Sequence, residues 1–90
     1  MKSRAEPPAS GKGAEAVKVA ALVLVKWLHR PEAPIRRAAL GGLAEIGKPA
    51  QPAVPALLAA LDDKDGEIRE LAARALKSID IEAAAKAGVK

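Results

Sequence analysis

Apolar residues recur along most of this chain at the three- and four-residue steps that are typical of amphipathic helices. These steps predict four main helices, over about residues 14–29, 34–46, 55–61 and 66–79, and a short last helix over residues 81–87. The residues expected in the core are Val17, Ala21, Leu24, Val25 and Leu28, then Ile35, Ala38, Ala39, Leu43 and Ile46, then Val54, Leu57, Leu58 and Leu61, and last Ile68, Ala72, Ala75, Leu76 and Ile79.

The helical pattern repeats after 33 residues: residues 35–47 read IRRAALGGLAEIG, and residues 68–80 read IRELAARALKSID. A fixed period of roughly 20–50 residues marks a repeat architecture, in which no unit buries its apolar face alone. We therefore divide the repeat domain, residues 14–90, into repeat 1 (14–47), repeat 2 (48–80) and a C-terminal lid (81–90).

Residues 1–13 have a different composition, with two prolines, two glycines, two serines and no large apolar residue after Met1. Such a segment buries too little apolar surface to offset the entropy of ordering, so we predict a flexible tail. The apolar run over residues 19–25 is short for a membrane span and ends in Lys26 rather than at a small-residue cleavage site. We therefore expect a cytoplasmic location without a signal peptide.

Composition supports an all-α fold, because half of the residues are hydrophobic, many of them alanine, and Phe and Tyr are missing. The absence of cysteine excludes disulfides and thiolate metal sites. The net charge of +4 is too small to require an anionic partner.

The first helix is apolar on its second side as well, where an association face is formed by Val19, Leu22, Val23 and Trp27. A helix that is apolar all round is normally covered on both sides. Two repeats are also fewer than the three or so that usually complete a continuous core. We therefore expect this face to be covered, first by self-association about a two-fold axis, and otherwise by another chain or domain.

Trp27 has two interpretations. It could stack on a base or anchor a protein partner, which are recognised uses of tryptophan. We favour a filling role, either over Gly41 and Gly42 or across the open end of the array. Each of these glycines costs up to about 1 kcal/mol inside a helix, which predicts a packing reason such as a close neighbouring helix.

The cluster of Asp63, Asp65 and Gly66 resembles part of a calcium loop, but an EF-hand in that register needs ligands where Leu61 and Ala72 stand. We therefore interpret it as a turn with helix-capping carboxylates, and we predict neither a metal nor a cofactor.

His29 is the only histidine, and the only hydroxyls belong to Ser3, Ser10 and Ser78. Two of these serines lie in the predicted tail, and Ser78 is far along the second unit. A catalytic base needs a nucleophile or a polarising partner close by, so we predict no catalytic residues.

Charge differs between the units. The first unit is basic, with Lys26, Arg30, Arg36, Arg37 and Lys48, and the second turn is acidic, with Asp62, Asp63, Asp65, Glu67 and Glu70. The difference indicates either an anionic partner docked on the first unit or attraction between units or stacked copies. Nucleic acid is disfavoured as a partner, because helical-repeat binders show a denser basic stripe.

The chain resembles the HEAT repeat family. Ile35-Arg36 and Ile68-Arg69 match the Val/Ile-Arg step that opens the second helix of these repeats. Residues 47–63, GKPAQPAVPALLAALDD, match the linker and first helix, in particular those of the HEAT-like repeats named after phycobilisome lyases. The resemblance covers about residues 14–80.

This resemblance implies a short right-handed α-solenoid of two antiparallel helix pairs plus a short C-terminal helix, acting as a non-catalytic scaffold that binds a protein or a further copy of itself. A fragment of a repeat-type chromophore lyase and a nucleic-acid-binding repeat are the alternatives. In the family, a turn aspartate often joins the arginine that opens a second helix. Asp63 and Arg69 take those positions, Arg36 could reach Asp63 across the units, and Arg30 replaces the aspartate in the first unit.

In a solenoid of this type the second helices line the concave side, where we expect partners to bind. The outward positions of these helices are Arg37, Leu40, Gly41, Ala44 and Glu45 in the first unit and Glu70, Ala73, Arg74 and Lys77 in the second.

Overall fold

The fold is all-α. A computed structural model describes residues 11–89, and their side chains from Glu15 onward. It contains five α-helices and one 3₁₀ segment: α1 (Gly11–Leu28), α2 (Ala33–Ile46), the 3₁₀ segment (Lys48–Ala53), α3 (Val54–Ala60), α4 (Gly66–Ile79) and α5 (Ile81–Lys86). Within residues 11–89, there is no strand, and no helix is long and apolar enough to cross a bilayer.

Two boundaries differ from those that the sequence predicts. Helix α1 begins at Gly11, so residues 11–13 are helical rather than part of a tail. Once a helix is nucleated, each added residue gains a backbone hydrogen bond at little further entropic cost, and two glycines need not stop it. The proline-rich linker is itself helical, because it forms the 3₁₀ segment before α3 begins at Val54. Residues 1–10 of the predicted tail lie outside the described residues.

The 33-residue repeat of the sequence is also a repeat of the backbone. Helices α2 and α4 both have 14 residues, and α4 begins 33 residues after α2. Their last turns close in the same way, with Gly47 N–H donating to Leu43 O at 3.1 Å and Asp80 N–H donating to Leu76 O at 2.7 Å. Helix α5 has the same offset from the 3₁₀ segment. Residues that are 33 apart can therefore be compared as structural equivalents.

Helix α2 occupies the centre of the fold, packed between α1 and α4, and α4 also contacts α3 and α5. The fully or nearly fully buried residues form one core: Ala21, Leu28, Ala39, Leu40, Leu43, Ala50, Ala53, Leu57, Ile68, Ala72, Ala75, Leu76, Ile79 and Ala84. All five core residues predicted in α4 are confirmed. The core runs continuously through both units, as a repeat solenoid requires.

Three predicted positions are corrected. Leu40, expected on the concave surface, is 0 % exposed, because α2 has neighbours on both sides. Ala38, expected in the core, is exposed for the same reason: the inward face of α2 is rotated toward Leu40. Leu58 is 38 % exposed, since the short helix α3 buries fully only Leu57.

The two glycines in α2 have different surroundings. A Cβ at Gly42 would lie 3.0 Å from Leu24 Cδ1, so the predicted close approach of a neighbouring helix is confirmed there, with α1 as the neighbour. A Cβ at Gly41 would meet nothing within 4 Å. Trp27 is not among the atoms nearest either position, so its predicted role as a filler over these glycines is wrong.

Candidate interaction surfaces

The two units are joined by an ion pair between Arg36 and Asp63. Arg36 opens α2 and donates from Nη1 to the main-chain oxygens of Arg30 at 3.0 Å and Pro31 at 2.8 Å. Its Nε lies 3.4 Å from Asp63 Oδ2, and the two side chains are only 12 % and 19 % exposed. The Nε atom is buried and makes no well-aligned hydrogen bond, so this contact is an ion pair without hydrogen-bond geometry. The predicted contact across the units is confirmed.

Arg69 does not form the side-chain pair with Asp63 that family resemblance implied. Its Nη1 donates to the main-chain oxygen of Asp63 at 2.7 Å. The carboxylate of Asp63 is otherwise engaged, with Oδ1 accepting from Asp65 N–H at 2.8 Å and Oδ2 facing Arg36. Both arginines thus bind the carbonyl six residues earlier, but among the described residues only Arg36 has a carboxylate within ion-pair distance.

A small cavity of about 130 Å³ marks the seam between the units. Leu28, His29 and Arg36 line it from the first unit, and Ala56, Ala59, Ala60, Asp63 and Ile68 line it from the second. The three alanines keep the second unit's surface flat, which lets the first unit approach closely. Asp63 adds the negative charge that faces Arg36.

A larger open groove of about 530 Å³ lies at the other side of the first unit. We name it the end groove, and its lining residues are Lys26, Trp27, Arg30 and Ile35. A shift of 33 residues turns them into Ala59, Ala60, Asp63 and Ile68, all of which line the seam cavity. The end groove is therefore the place on the first unit that corresponds to the docking surface on the second.

Arg30 is held by its neighbour Glu32. Its Nε and Nη2 donate to the two carboxylate oxygens of Glu32, both at 3.2 Å. This hydrogen bonding holds the pKa of Glu32 below its ordinary value. Both side chains are about half exposed, and exposed pairs of this kind contribute little to stability.

The predicted association face of α1 is exposed in the structure, with Trp27 at 47 % exposure. Val19, Leu22 and Val23 are exposed to a similar degree along the same helix. Because Trp27 belongs both to this face and to the end groove, the two form one apolar surface with two cations at its edge.

The predicted concave surface loses Leu40 to the core but otherwise stays at the surface. We name the remainder the α2/α4 face: Arg37, Gly41, Ala44, Glu45, Glu70, Ala73, Arg74 and Lys77. Ala44 and Ala73 are half-buried, and the main-chain oxygen of Ala44 accepts a 2.7 Å hydrogen bond from Ser78 Oγ. Arg37 Nη1 lies 3.6 Å from Glu67 Oε1, which adds a second link between α2 and α4.

The acidic turn before α4 acts as a cap, as the sequence predicts. Asp65 accepts a hydrogen bond from Glu67 N–H at 2.9 Å at the start of α4, and Asp63 fixes the turn. No group of three or more His, Asp or Glu side chains in the described part of the chain is placed to hold a metal ion. His29 is exposed beside the seam.

The sequence patterns alone missed the end groove. They identified Lys26 and Arg30 as part of a basic unit and Ile35 as a core residue, without placing them together. The signal was present in the repeat, since the equivalents of Lys26, Trp27 and Arg30 are two alanines and an aspartate. A position-by-position comparison of the units would have marked this site.

Comparison with known proteins supports the architecture. A family profile described as HEAT repeats matches residues 21–87, well over half of the chain. No curated protein and no solved structure matches the chain. HEAT repeats generally act as scaffolds for protein–protein interactions. With its duplicated helix pairs, its arginine at the start of each second helix and this match, the chain belongs to the HEAT repeat family.

Proposed function

We propose that this protein is a non-catalytic interaction module that presents the α2/α4 face to a protein partner. The observation that carries this proposal is the equivalent register of α2 and α4, which places their outward residues side by side over one continuous core. The Arg36–Asp63 and Arg37–Glu67 pairs link the two halves of this surface. A surface fixed in this way loses little entropy when a partner binds.

The exposed side chains of the α2/α4 face give it a mixed charge. Glu45 and Glu70 carry negative charge, and Arg74 and Lys77 carry positive charge. This alternation favours a protein partner with complementary charges over nucleic acid, which requires a basic stripe along the phosphate backbone.

The likeness to phycobilisome-lyase repeats suggests the rival that the chain is part of a chromophore lyase. Such an enzyme needs a pocket that encloses its chromophore, and the end groove is open and lined by four residues. We therefore retain the scaffold role without a cofactor. The association face of α1 is a second surface, for which a further copy of the chain or another protein remains the predicted occupant.

A pull-down from extract of the native host, with partners identified by mass spectrometry, tests the α2/α4 face. We expect the variant Arg74→Glu/Lys77→Glu to lose the partners that the wild-type protein captures. Lys48→Glu/Lys64→Glu is the matched control, because it makes the same change in net charge at exposed positions outside this face. Equal loss in both variants, or in neither, would contradict the proposal.

A further inference from the structure

The seam shows what a unit of this chain needs in order to receive a preceding unit. On the second unit, Ala59 and Ala60 leave room for the residues that line the first-unit side of the cavity, and Asp63 faces Arg36. The receiving surface is thus small in side-chain volume and negative at one point. These two properties can be checked on the first unit, residue by residue.

The first unit has neither property. Lys26 and Trp27 stand where the second unit has Ala59 and Ala60, and Arg30 stands where it has Asp63. A preceding repeat of the same kind would place its α2-type helix against Trp27 and its arginine against Arg30. Steric overlap and like charge both oppose that arrangement, so the end groove is not built for another copy of this repeat.

The reversed charge favours a carboxylate in the end groove. Lys26 and Arg30 supply two cations at its edge, and Glu32 uses only Nε and Nη2 of Arg30. A guanidinium has five N–H donors in a planar fork, so Arg30 can bind a second carboxylate through Nη1. The existing pair is half exposed and therefore weak, so an incoming acidic group can share or replace it.

The rest of the surface favours a helix. Trp27 and Ile35 give the groove its apolar lining, and Val19, Leu22 and Val23 continue the apolar track along α1. An amphipathic helix that packs alongside would bury this track and bring its own side chains to the cations. A second copy fits less well, because an isologous interface would place Lys26 and Arg30 of both copies in one contact.

We propose that the end groove and the association face of α1 bind an acidic amphipathic helix of another protein. Its carboxylate lies at Lys26 and Arg30, and its apolar side chains lie on Trp27. The inference rests on the proposed function as an interaction module, but it assigns a different surface and a stated partner chemistry.

Trp27 is the only tryptophan, so its fluorescence reports directly on the groove. The probe is a synthetic, end-capped helical peptide of about five turns with leucines along one face and glutamates beside them. A matched peptide has every glutamate replaced by lysine. We expect the glutamate peptide to give a saturable change in Trp27 emission that weakens as salt is raised, and the lysine peptide to give none.

Restoring the aspartate of the second unit should exchange this preference. Arg30→Asp should weaken the glutamate peptide about tenfold or more and allow the lysine peptide to bind. Arg74→Asp, on the α2/α4 face, is the matched control and should leave both titrations unchanged. Circular dichroism of each variant checks that the fold is retained, and Arg30→Gln, which removes the charge without reversing it, should also weaken the glutamate peptide.

Several outcomes would overturn the inference. Equal binding of both peptides would indicate a general apolar patch, and binding of neither would show that the groove takes no such helix. Sedimentation equilibrium of the wild type and of Leu22→Glu/Val23→Lys tests the second copy. A wild type that dimerises through this face and is not dissociated by the glutamate peptide would assign the face to self-association. None of these results depends on the α2/α4 face, which the pull-down tests separately.

Discussion

Helices α2 and α4 have the same length and occupy the same place in their repeats, yet their surroundings differ. Helix α4 buries one stripe of five residues, whereas α2 is packed between α1 and α4. Leu40 is therefore fully buried, while its equivalent, Ala73, is half-buried. In a repeat array, the exposure of a position depends on which units flank it as well as on the pattern within its own unit.

The ends of the two helices differ as well. Asp65 caps α4, whereas Glu32 makes no capping hydrogen bond at the start of α2. Helix α2 also contains two adjacent glycines, each of which lowers helix stability by up to about 1 kcal/mol relative to alanine. Helix α2 is thus the intrinsically weaker of the two and depends more on its neighbours. Four substitutions that make one helix resemble the other can test this difference.

The largest effect should come from Leu40→Ala, which gives α2 the residue that α4 has. The substitution leaves a cavity between three helices, so we expect the free energy of unfolding to fall by about 2–5 kcal/mol in a urea titration. Leu58→Ala removes the same atoms from a side chain that is 38 % exposed and should cost much less. Similar losses for both variants would mean that α2 is not enclosed by its neighbours.

The arginines that open the two helices should differ next. A double-mutant cycle on Arg36→Ala and Asp63→Ala should give a coupling energy of about 1 kcal/mol, since this pair is mostly buried. The same cycle on Arg69→Ala and Asp63→Ala should give a smaller coupling, because Arg69 binds the main-chain oxygen, which an alanine retains. A larger coupling for Arg69 would reverse the assignment made from the structure.

Much of this fold could be predicted from the sequence. The five core residues of α4 were found because α4 shows a single apolar stripe at helical spacing. Leu40 and Leu58 were misplaced because periodicity within one helix does not show what packs on its other sides. Asp63 was linked to Arg69 by family resemblance, whereas its two oxygens are taken by Asp65 N–H and Arg36.

The glycines of α2 should respond differently to alanine. Gly41→Ala adds a methyl group into open space and should raise the free energy of unfolding by about 0.5–1 kcal/mol through helix propensity. Gly42→Ala, which copies Ala75 of α4, places its Cβ 3.0 Å from Leu24 Cδ1. The gain there should be smaller or negative, because Leu24 must move. Equal stabilisation in thermal unfolding would show that α1 does not press on Gly42.

The smallest effect concerns the residues that follow the two helices, Gly47 and Asp80. Asp80 accepts hydrogen bonds from Gln51 Nε2 at 2.6 Å and from Ala83 N–H at 3.0 Å, and these hold its pKa below the ordinary 3.8. A lowered pKa contributes stability that is present above the ordinary value and is lost as pH falls through the folded value.

The loss of stability on acidification from about pH 5 to about pH 3 should therefore be smaller in Asp80→Asn than in the wild type. Gln51→Ala, which removes the largest cause of the lowered pKa, should show an intermediate loss in the same urea titrations. Glu32 also has a lowered pKa but is unchanged in both variants, so its contribution cancels in the comparison. Identical acid dependence in all three proteins would contradict the role of Asp80.

The 3₁₀ segment has a consequence for how the chain folds. It belongs to the second repeat by sequence, yet it packs against α1 of the first repeat, where Ala50 and Ala53 are fully buried. Separating the chain after Gly47 would therefore strip α1 of its neighbour and leave both halves incomplete. The cooperative unit straddles the boundary between the repeats, so native-state hydrogen exchange should show the two repeats opening together rather than in sequence.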